Sequence, residues 1–159
     1  MIVLKHPLIV KSIAWPDEAA TQAFAHALAA RGAIGHAVVE LHGDLGAGKT
    51  TFARYLLAAL GVEGRIKSPT YTIVETYLLA DSTSISHFDF YRFNNPLEWE
   101  EAGFRDLFAS PGLKLIEWPE KAGEHLPPCD LKLTITMQPD ETRSVNLSAF
   151  TPLGGELLA

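Results

Sequence analysis

The sequence predicts an α/β protein built on a mixed sheet, from three observations. A short apolar run rich in β-branched residues, "HAVVELHG", enters a glycine loop and is followed by the helical segment "TTFARYLLAALG", which is the strand, loop, helix order of a parallel sheet. Two strand-like runs in residues 71–93 flank "ADSTS", and two alternating runs in residues 131–150 flank "QPDET". Both patterns are typical of antiparallel hairpins. We therefore expect parallel and antiparallel strands in one sheet.

The other segments complete a single expected domain, residues 1–159. The stretch "WPDEAATQAFAHALAARG" predicts a helix with Pro16 at its first helical position. The stretch "PLEWEEAGFRDLF" carries apolar residues at helical spacing and predicts another helix. Residues 152–159 are expected to fray, as chain ends often do.

The composition excludes several classes of protein. The 159 residues are 47% hydrophobic and 20% charged, which suits one globular core. A net charge of −6 argues against a surface that holds nucleic acid by itself. No run approaches the roughly 20 apolar residues of a membrane helix, and the N-terminus lacks a secretory leader. We therefore expect a soluble, cytoplasmic protein. One cysteine excludes an internal disulfide framework, and the six scattered histidines do not have the spacing of zinc ligands.

The segment "GDLGAGKT", Gly43 to Thr50, has the spacing of a phosphate-binding loop (P-loop): glycine, four residues, glycine, lysine, threonine. Glycines let successive backbone N–H groups point at one anion, and the helix that starts near Thr50 adds its positive end. Lys49 then reaches the outer phosphates, and the Thr50 hydroxyl is placed to ligate Mg²⁺. No Asn/Thr-Lys-x-Asp guanine-recognition segment follows, which favours ATP.

A phosphate loop needs a carboxylate near Mg²⁺, generally at the end of a neighbouring strand. Glu117 follows "LKLI", a more continuous apolar run than the one around Asp89, and fits a buried central strand, so it is the preferred ligand. The plain alternative for Glu117 is a solvated strand end. Asp89 is the second candidate and is equally well a cross-strand ion-pair partner, with Arg92 close by.

The segment "KSPTYT", residues 67–72, lies where P-loop switch proteins carry a mobile segment that senses the terminal phosphate. The hydroxyls of Ser68, Thr70 and Thr72 are candidates to approach phosphate, Mg²⁺ or its waters. A proline-defined turn is an equal alternative. Trp118, next to Glu117, is either a core residue, a wall of the site or an anchor that contacts a partner.

Five segments together resemble the bacterial TsaE (YjeE) family of small ATPases in tRNA threonylcarbamoyladenosine biosynthesis. They are "GDLGAGKTTFAR", "KSPTYTIVETY", "HFDFYR", "EEAGFRDLF" and "IEWPE", in family-like order and spacing over about Pro16 to Arg143. The phosphate loop is generic on its own. The combination of "SPTYT", "HFDFYR" and "EWPE" is specific to the family.

The resemblance implies a three-layer P-loop NTPase fold with a mixed sheet, ATP bound with Mg²⁺, and weak, partner-stimulated ATP hydrolysis. In that family the ATPase works with the TsaB and TsaD proteins, which transfer a threonylcarbamoyl group onto a tRNA adenosine. The ATPase is expected to reset their complex between turnovers and is not itself the transferase. Contact with tRNA would be indirect, and self-association stays open.

Carried over to this chain, the resemblance makes Thr50 and Glu117 the Mg²⁺ ligands. Glu18 matches an N-terminal nucleotide contact, and Arg143 matches a basic contact from the terminal hairpin. The predicted catalytic residues are Lys49, Thr70, Asp89, Glu117 and Trp118. The predicted nucleotide-binding residues, beside Glu18 and Arg143, are Gly43, Asp44, Leu45, Gly46, Ala47, Gly48, Lys49, Thr50 and Thr51.

Two other functions share parts of these motifs. A small-molecule P-loop kinase would use the same loop, but it would place basic residues in a lid, and no Arg-rich lid segment stands in the sequence. A nucleotide-gated binding module would need ATP occupancy and not hydrolysis. Detection of a phosphorylated small-molecule product would support the kinase. Repeated rounds of tRNA modification with a non-hydrolysable ATP analogue would support the binding module.

Overall fold

A computed structural model describes residues 6–64, 66, 73–95, 99 and 103–159, and a seven-stranded sheet forms its centre. The strands are β1 (Ile9–Trp15), β2 (Val38–His42), β3 (Val74–Leu78), β4 (Ser84–Asp89), β5 (Leu113–Glu117), β6 (Leu131–Met137) and β7 (Arg143–Ala149). The α-helices are α1 (Glu18–Ala29), α2 (Lys49–Ala59), α3 (Phe104–Ala109) and α4 (Pro152–Leu158). None of the helices in these ranges is long and apolar enough to cross a membrane.

The sheet is mixed, as the sequence predicts, with strand order β1-β7-β6-β2-β5-β4-β3. Parallel pairs join β2 to β5, β2 to β6 and β4 to β5. The two predicted hairpins are the antiparallel pairs β3-β4 and β6-β7. The parallel pairs align the carboxyl ends of β2, β4 and β5 at one edge of the sheet, which is where open α/β sheets bind ligands.

Strand β1 was missed by the sequence analysis, which assigned no element before the first helix. It pairs antiparallel with β7 at the edge of the sheet. Its alternation is broken by Lys11, which shares a face with the apolar Ile9 and Ile13. The Lys11 Nζ donates to the Leu158 carbonyl oxygen at 2.5 Å, so this charge is held by a contact that only the fold supplies.

Helix α1 begins later than predicted. Asp17 is its N-cap, and the Asp17 side chain accepts a hydrogen bond from the Ala20 N–H at 2.9 Å. An aspartate satisfies an otherwise unpaired helix N–H in this position, so Pro16 lies outside the helix. Trp15 ends β1 and packs against Phe24 and Phe52, with ring centroids 5.6 and 5.5 Å away.

The sheet buries one apolar cluster on each face. On one face, α1, α2 and α4 cover a large aliphatic cluster that includes Leu41, Leu115 and Leu133. On the other face, Ile116 and Phe88 pack with α3, and the rings of Phe88 and Phe108 stack at 4.5 Å. Around β4 and β5 the molecule therefore has three layers, which hold the ends of these two strands from both sides.

The expectation that residues 152–159 fray is wrong. They form α4, with Thr151 as N-cap and Pro152 in the first turn, where proline is well tolerated. Leu157 and Leu158 are buried in the aliphatic cluster. Position at the end of a chain was therefore a weaker signal than the capping sequence and the two leucines.

We predict that Gly154→Ala lowers the free energy of unfolding by about 1–3 kcal/mol. A Cβ at Gly154 would lie 1.9 Å from the Asp130 carbonyl oxygen, so the helix would have to move. The neighbouring change Gly155→Ala is the control, since its Cβ would meet only Ile9 Cδ1 at 3.5 Å. It should leave stability unchanged or raise it by up to about 1 kcal/mol. Urea unfolding compares the two, and equal effects would contradict this packing of α4.

Candidate functional site: a phosphate loop beside two carboxylates

The loop between β2 and α2 requires glycine at two points for close backbone approach. Gly43 has a φ of 149°, and a Cβ there would lie 2.5 Å from the Ile135 carbonyl oxygen. Gly48 has a φ of 112°, and a Cβ there would lie 2.9 Å from the Arg143 Nε. Side chains at both positions would strain the backbone and push neighbours aside, so these two glycines give the loop its shape.

Helix α2 begins at Lys49 directly after the loop. Its first N–H groups have no partner within the helix and carry the positive end of the helix dipole. The Lys49 Nζ donates to the Gly43 carbonyl oxygen and lies 3.5 Å from the centre of the Trp118 ring. Burial lowers the pKa of Lys49, and the negative charges of Glu117, Glu120 and Asp89 oppose that shift. A cation is therefore held at the base of the loop.

Glu117 is a buried carboxylate with a donor on each oxygen. The Thr50 Oγ1 donates to Glu117 Oε1 at 2.7 Å. The His87 Nε2 lies 2.7 Å from Glu117 Oε2, and both side chains are 1% exposed. The alternative that Glu117 is a solvated strand end is excluded by this burial.

Asp89 faces Glu117 across the parallel pair of β4 and β5. Its Oδ1 accepts the Tyr91 backbone N–H at 2.9 Å. Burial raises the pKa of Asp89, and the nearby Glu117 charge raises it further, while the Tyr91 hydrogen bond and the charges of His87 and Lys49 lower it. Two carboxyl groups thus share this end of the sheet, and one of them is driven toward its protonated form.

Trp118 adopts the left-handed backbone conformation, with φ 56° and ψ 48°, before Pro119. For a residue with a side chain this conformation costs about 1–2 kcal/mol. It places the Trp118 ring over the Lys49 Nζ and 4.9 Å from the Tyr91 ring. A cation over an indole ring returns about 0.5–2 kcal/mol, so the ring and the lysine offset the backbone strain.

Arg143, at the start of β7, closes the site from the other side. Its Nε donates to the Ala47 carbonyl oxygen at 2.7 Å. Together these groups enclose a cavity of about 230 Å³. The residues that line it are Leu45, Gly46, Gly48, Lys49, Thr50, Thr51, Asp89, Tyr91, Glu117, Trp118 and Arg143. Gly43, Asp44 and Ala47 line an adjoining cavity of about 260 Å³ against β6.

The donor set fits a magnesium ion held jointly with phosphate. In the described ranges no three His, Cys, Asp or Glu side chains converge as a metal cage would require. Mg²⁺ seldom uses such cages, because it takes one or two protein oxygens and fills the remaining positions with phosphate and water. The hydroxyl of Thr50 and the carboxylate of Glu117 are hard oxygen donors placed side by side, as that arrangement needs.

Comparison with known proteins agrees with the resemblance. Residues 15–145 match the family model described as "Threonylcarbamoyl adenosine biosynthesis protein TsaE". The chain belongs to the TsaE family. The tRNA threonylcarbamoyladenosine biosynthesis protein TsaE of Haemophilus influenzae is 45% identical over 122 residues, which cover 77% of this chain and 76% of that protein. The Bacillus subtilis protein of the same name is 35% identical over 145 residues, covering 88% and 87%.

The fold is also that of a solved structure. The crystal structure of Bacillus subtilis YdiB superposes with a TM-score of 0.70 at 30% identity, covering 94% of this chain and 93% of that one. This structural match, together with the glycine loop and the mixed sheet, shows that the chain has a P-loop NTPase fold of the α/β class. The predicted fold class is confirmed.

One predicted site residue of the described ranges, Glu18, lines neither cavity. Its Oε1 accepts a hydrogen bond from the Tyr55 hydroxyl, which ties α1 to α2. Thr70 and the rest of residues 67–72 lie outside the described residues, so the switch-segment hypothesis stays a prediction. Each residue of the phosphate loop lines at least one of the two cavities, and Asp89, Glu117, Trp118 and Arg143 line the first of them.

Sequence reasoning missed His87 and Tyr91. Both stand in "HFDFYR", two residues before and two after Asp89. Alternate residues of a strand share a face, so placing Asp89 at the site could have placed His87 on the same face. That signal is weak without knowing that β4 lies next to β5, which depends on strand order.

We predict that Asp89→Asn raises the stability of the TsaE-family protein at pH 7. The folded pKa of Asp89 is raised above its ordinary value of 3.8, so the folded state binds the proton more tightly. The contribution of Asp89 to the free energy of unfolding falls as the pH rises from 3.8 through the raised folded pKa. At pH values above the folded pKa, the ionised Asp89 carboxylate destabilises the folded state. The amide carries no charge and can still accept the Tyr91 N–H.

Asp140→Asn is the matched control with the opposite sign. Hydrogen bonds from the Thr142 side chain and backbone lower the pKa of Asp140, so its charged form is favoured in the folded state and Asn should destabilise slightly at pH 7. Urea unfolding at pH 7 and near pH 4 in EDTA measures both. A fall in stability at pH 7 for Asp89→Asn would contradict the electrostatic reading of the two carboxyl groups.

Proposed function

We propose that this protein is a Mg²⁺-dependent ATPase that acts in tRNA threonylcarbamoyladenosine biosynthesis in the cytoplasm. It would hydrolyse ATP weakly on its own and would reset a complex of the TsaB and TsaD proteins between turnovers. Membership of the TsaE family supports the pathway. The observation that carries the chemistry is the contact of Thr50 with the buried Glu117 at the foot of a glycine loop.

The phosphate end of ATP would enter the cavity over the start of α2. The N–H groups of the loop and of the first helical turn would donate to the phosphate oxygens. The Lys49 Nζ, which lies over the Trp118 ring, would move to the outer phosphates. Arg143 holds the loop through the Ala47 carbonyl and lines the same cavity, so it would keep the loop in shape as phosphate binds.

Thr50 and Glu117 would hold the cation through one hydroxyl and one carboxylate oxygen. A bound Mg²⁺ supplies charge neutralisation on the β- and γ-phosphates. Since Glu117 is buried and has a donor on each oxygen, its carboxylate is held in place by protein groups alone. Fixed charges of this kind need no reorganisation as the reaction proceeds.

Hydrolysis needs a water oxygen to attack the γ-phosphorus while the bond to the β-phosphate oxygen breaks and ADP leaves. Asp89 is our candidate to orient that water and to accept its proton. Asp89 lines the cavity, and its raised pKa makes it a better base than a free aspartate. The hydroxyls of Ser68, Thr70 and Thr72 are the other candidates and lie outside the described residues.

We predict that Thr50→Ala and Glu117→Gln each lower ATP hydrolysis by at least about 100-fold, since each removes an oxygen that anchors charge at the phosphates. Glu124→Gln, the same charge change on an exposed residue, should leave hydrolysis unchanged. Phosphate release with purified protein measures all three. Wild-type turnover by Glu117→Gln would exclude Glu117 from cation binding.

A second prediction concerns the partners. The protein should co-purify with TsaB and TsaD at least about 10-fold better in ATP than in ADP, because loss of the γ-phosphate removes the contact that orders a nucleotide-sensing segment. In a reconstituted tRNA modification assay, a non-hydrolysable ATP analogue should then permit a single round only. Repeated turnover with the analogue would show that occupancy suffices and that a hydrolysis-driven reset is wrong.

A further inference from the structure

His87 is a deeply buried polar side chain that the proposed chemistry does not use directly. It is 1% exposed, and its Nε2 lies 2.7 Å from Oε2 of the equally buried Glu117. Its other ring nitrogen, Nδ1, has no hydrogen-bond partner within the described part of the chain. The contact with Glu117 is therefore the polar interaction that orients this ring.

The sheet brings the pair together through strand order. Asp89 is the Cα partner of Glu117, and His87 is the partner of Leu115, one side-chain repeat earlier on the same face. His87 thus lies behind Glu117 as seen from the cavity, which Asp89 lines and His87 does not. It can act on a bound ligand only through the carboxylate.

The two oxygens of Glu117 have separate tasks in this geometry. Oε1 accepts the Thr50 hydroxyl, on the side of the phosphate loop, and Oε2 faces His87. A carboxylate only accepts hydrogen bonds, so the ring hydrogen must be on Nε2. The His87 Nε2–H therefore holds Oε2 away from the loop and leaves Oε1 directed at Thr50.

We propose that His87 is a positioning residue that sets the affinity of the site for its divalent cation by fixing the Glu117 carboxylate. This role rests on the proposed function, because it needs the cation to bind Thr50 and Glu117. Donors that orient a metal-binding carboxylate change metal affinity by about 10–100-fold when they are removed. Without the donor, the Glu117 carboxylate could rotate and share Oε2 with Thr50, and the cation would have to reorder it.

The test compares variants that keep or lose a donor at the position of Nε2. In His87→Gln the side-chain amide nitrogen reaches about as far as Nε2, whereas in His87→Asn it stops near Nδ1. His87→Leu removes every donor. Ser86→Ala is the control, since Ser86 is also buried on β4 but lies on the opposite face of the sheet.

The measurement is Mn²⁺ binding to the full-length protein saturated with ADP, followed by electron paramagnetic resonance of the free ion. We expect affinity about 10–100-fold below wild type for His87→Asn and His87→Leu. His87→Gln should recover to within about 3-fold, and Ser86→Ala should match wild type. Affinity for ADP in EDTA should be the same for every variant, and urea unfolding reports which variants fold.

The outcomes separate this role from the proposed function. Wild-type Mn²⁺ affinity in His87→Asn or His87→Leu would overturn the positioning role alone. So would His87→Gln binding as weakly as His87→Asn, because ring packing and not the donor would then matter. If the wild-type protein with ADP binds no Mn²⁺, the proposed function fails and this role fails with it. Should His87→Leu not fold, the comparison of Gln with Asn decides.

Discussion

The parallel pairing of β5 with both β2 and β4 is the constraint on which the rest of the molecule depends. Because the three strands run in one direction, their carboxyl ends meet at one edge and deliver the glycine loop, Asp89 and Glu117 to a single place. The Glu117 carbonyl also accepts the Phe90 N–H at 3.0 Å, which continues the ladder past the site. The apolar cluster that Ile116 and Phe88 form with α3 packs against the ends of β4 and β5 from the other face of the sheet.

Burial of charge at that edge is tolerated because the groups satisfy one another. A buried carboxylate without donors would be strongly unfavourable, yet Glu117 has Thr50 and His87, and Lys49 has the Gly43 carbonyl and the Trp118 ring. The charged groups of the site are therefore paired with one another or with protein dipoles. A phosphate-bearing ligand must replace these contacts with better ones, which favours ligands that bring both negative charge and a cation.

Much of the fold could be predicted from the sequence because its signals are local. Turn residues between alternating runs gave the two hairpins, and the loop spacing gave the strand, loop, helix unit. The misses depend on distant contacts. The edge strand β1 carries Lys11 on its inner face, where it binds a carbonyl 147 residues away, and α4 is held by leucines whose partners lie elsewhere in the chain.

The site residues also divide into those that a local sequence signal identifies and those that depend on contacts between distant residues. Lys49 and Thr50 follow from a motif of eight residues, whereas the bonds from Thr50 and His87 to Glu117 span 67 and 30 positions. The sequence could name Glu117 as the better of two acids, because the run before it is the more continuously apolar one and so favours a buried strand. The sequence could not show that β4 is a neighbour of β5. It therefore could not identify His87 as the donor to the Glu117 carboxylate.

Trp118, whose backbone is strained, lines the cavity and also contacts the exposed ring of Tyr91. The strain of its left-handed conformation is offset by the Lys49 cation over its ring, and the proposed function requires that same cation to bind phosphate. If Lys49 moves to phosphate as the proposed function requires, Trp118 would keep the backbone strain and lose the contact that offsets it. The Trp118 ring and the exposed Tyr91 ring beside it would then be the groups whose arrangement responds most directly to phosphate binding, since no other described aromatic ring has the Lys49 cation over it.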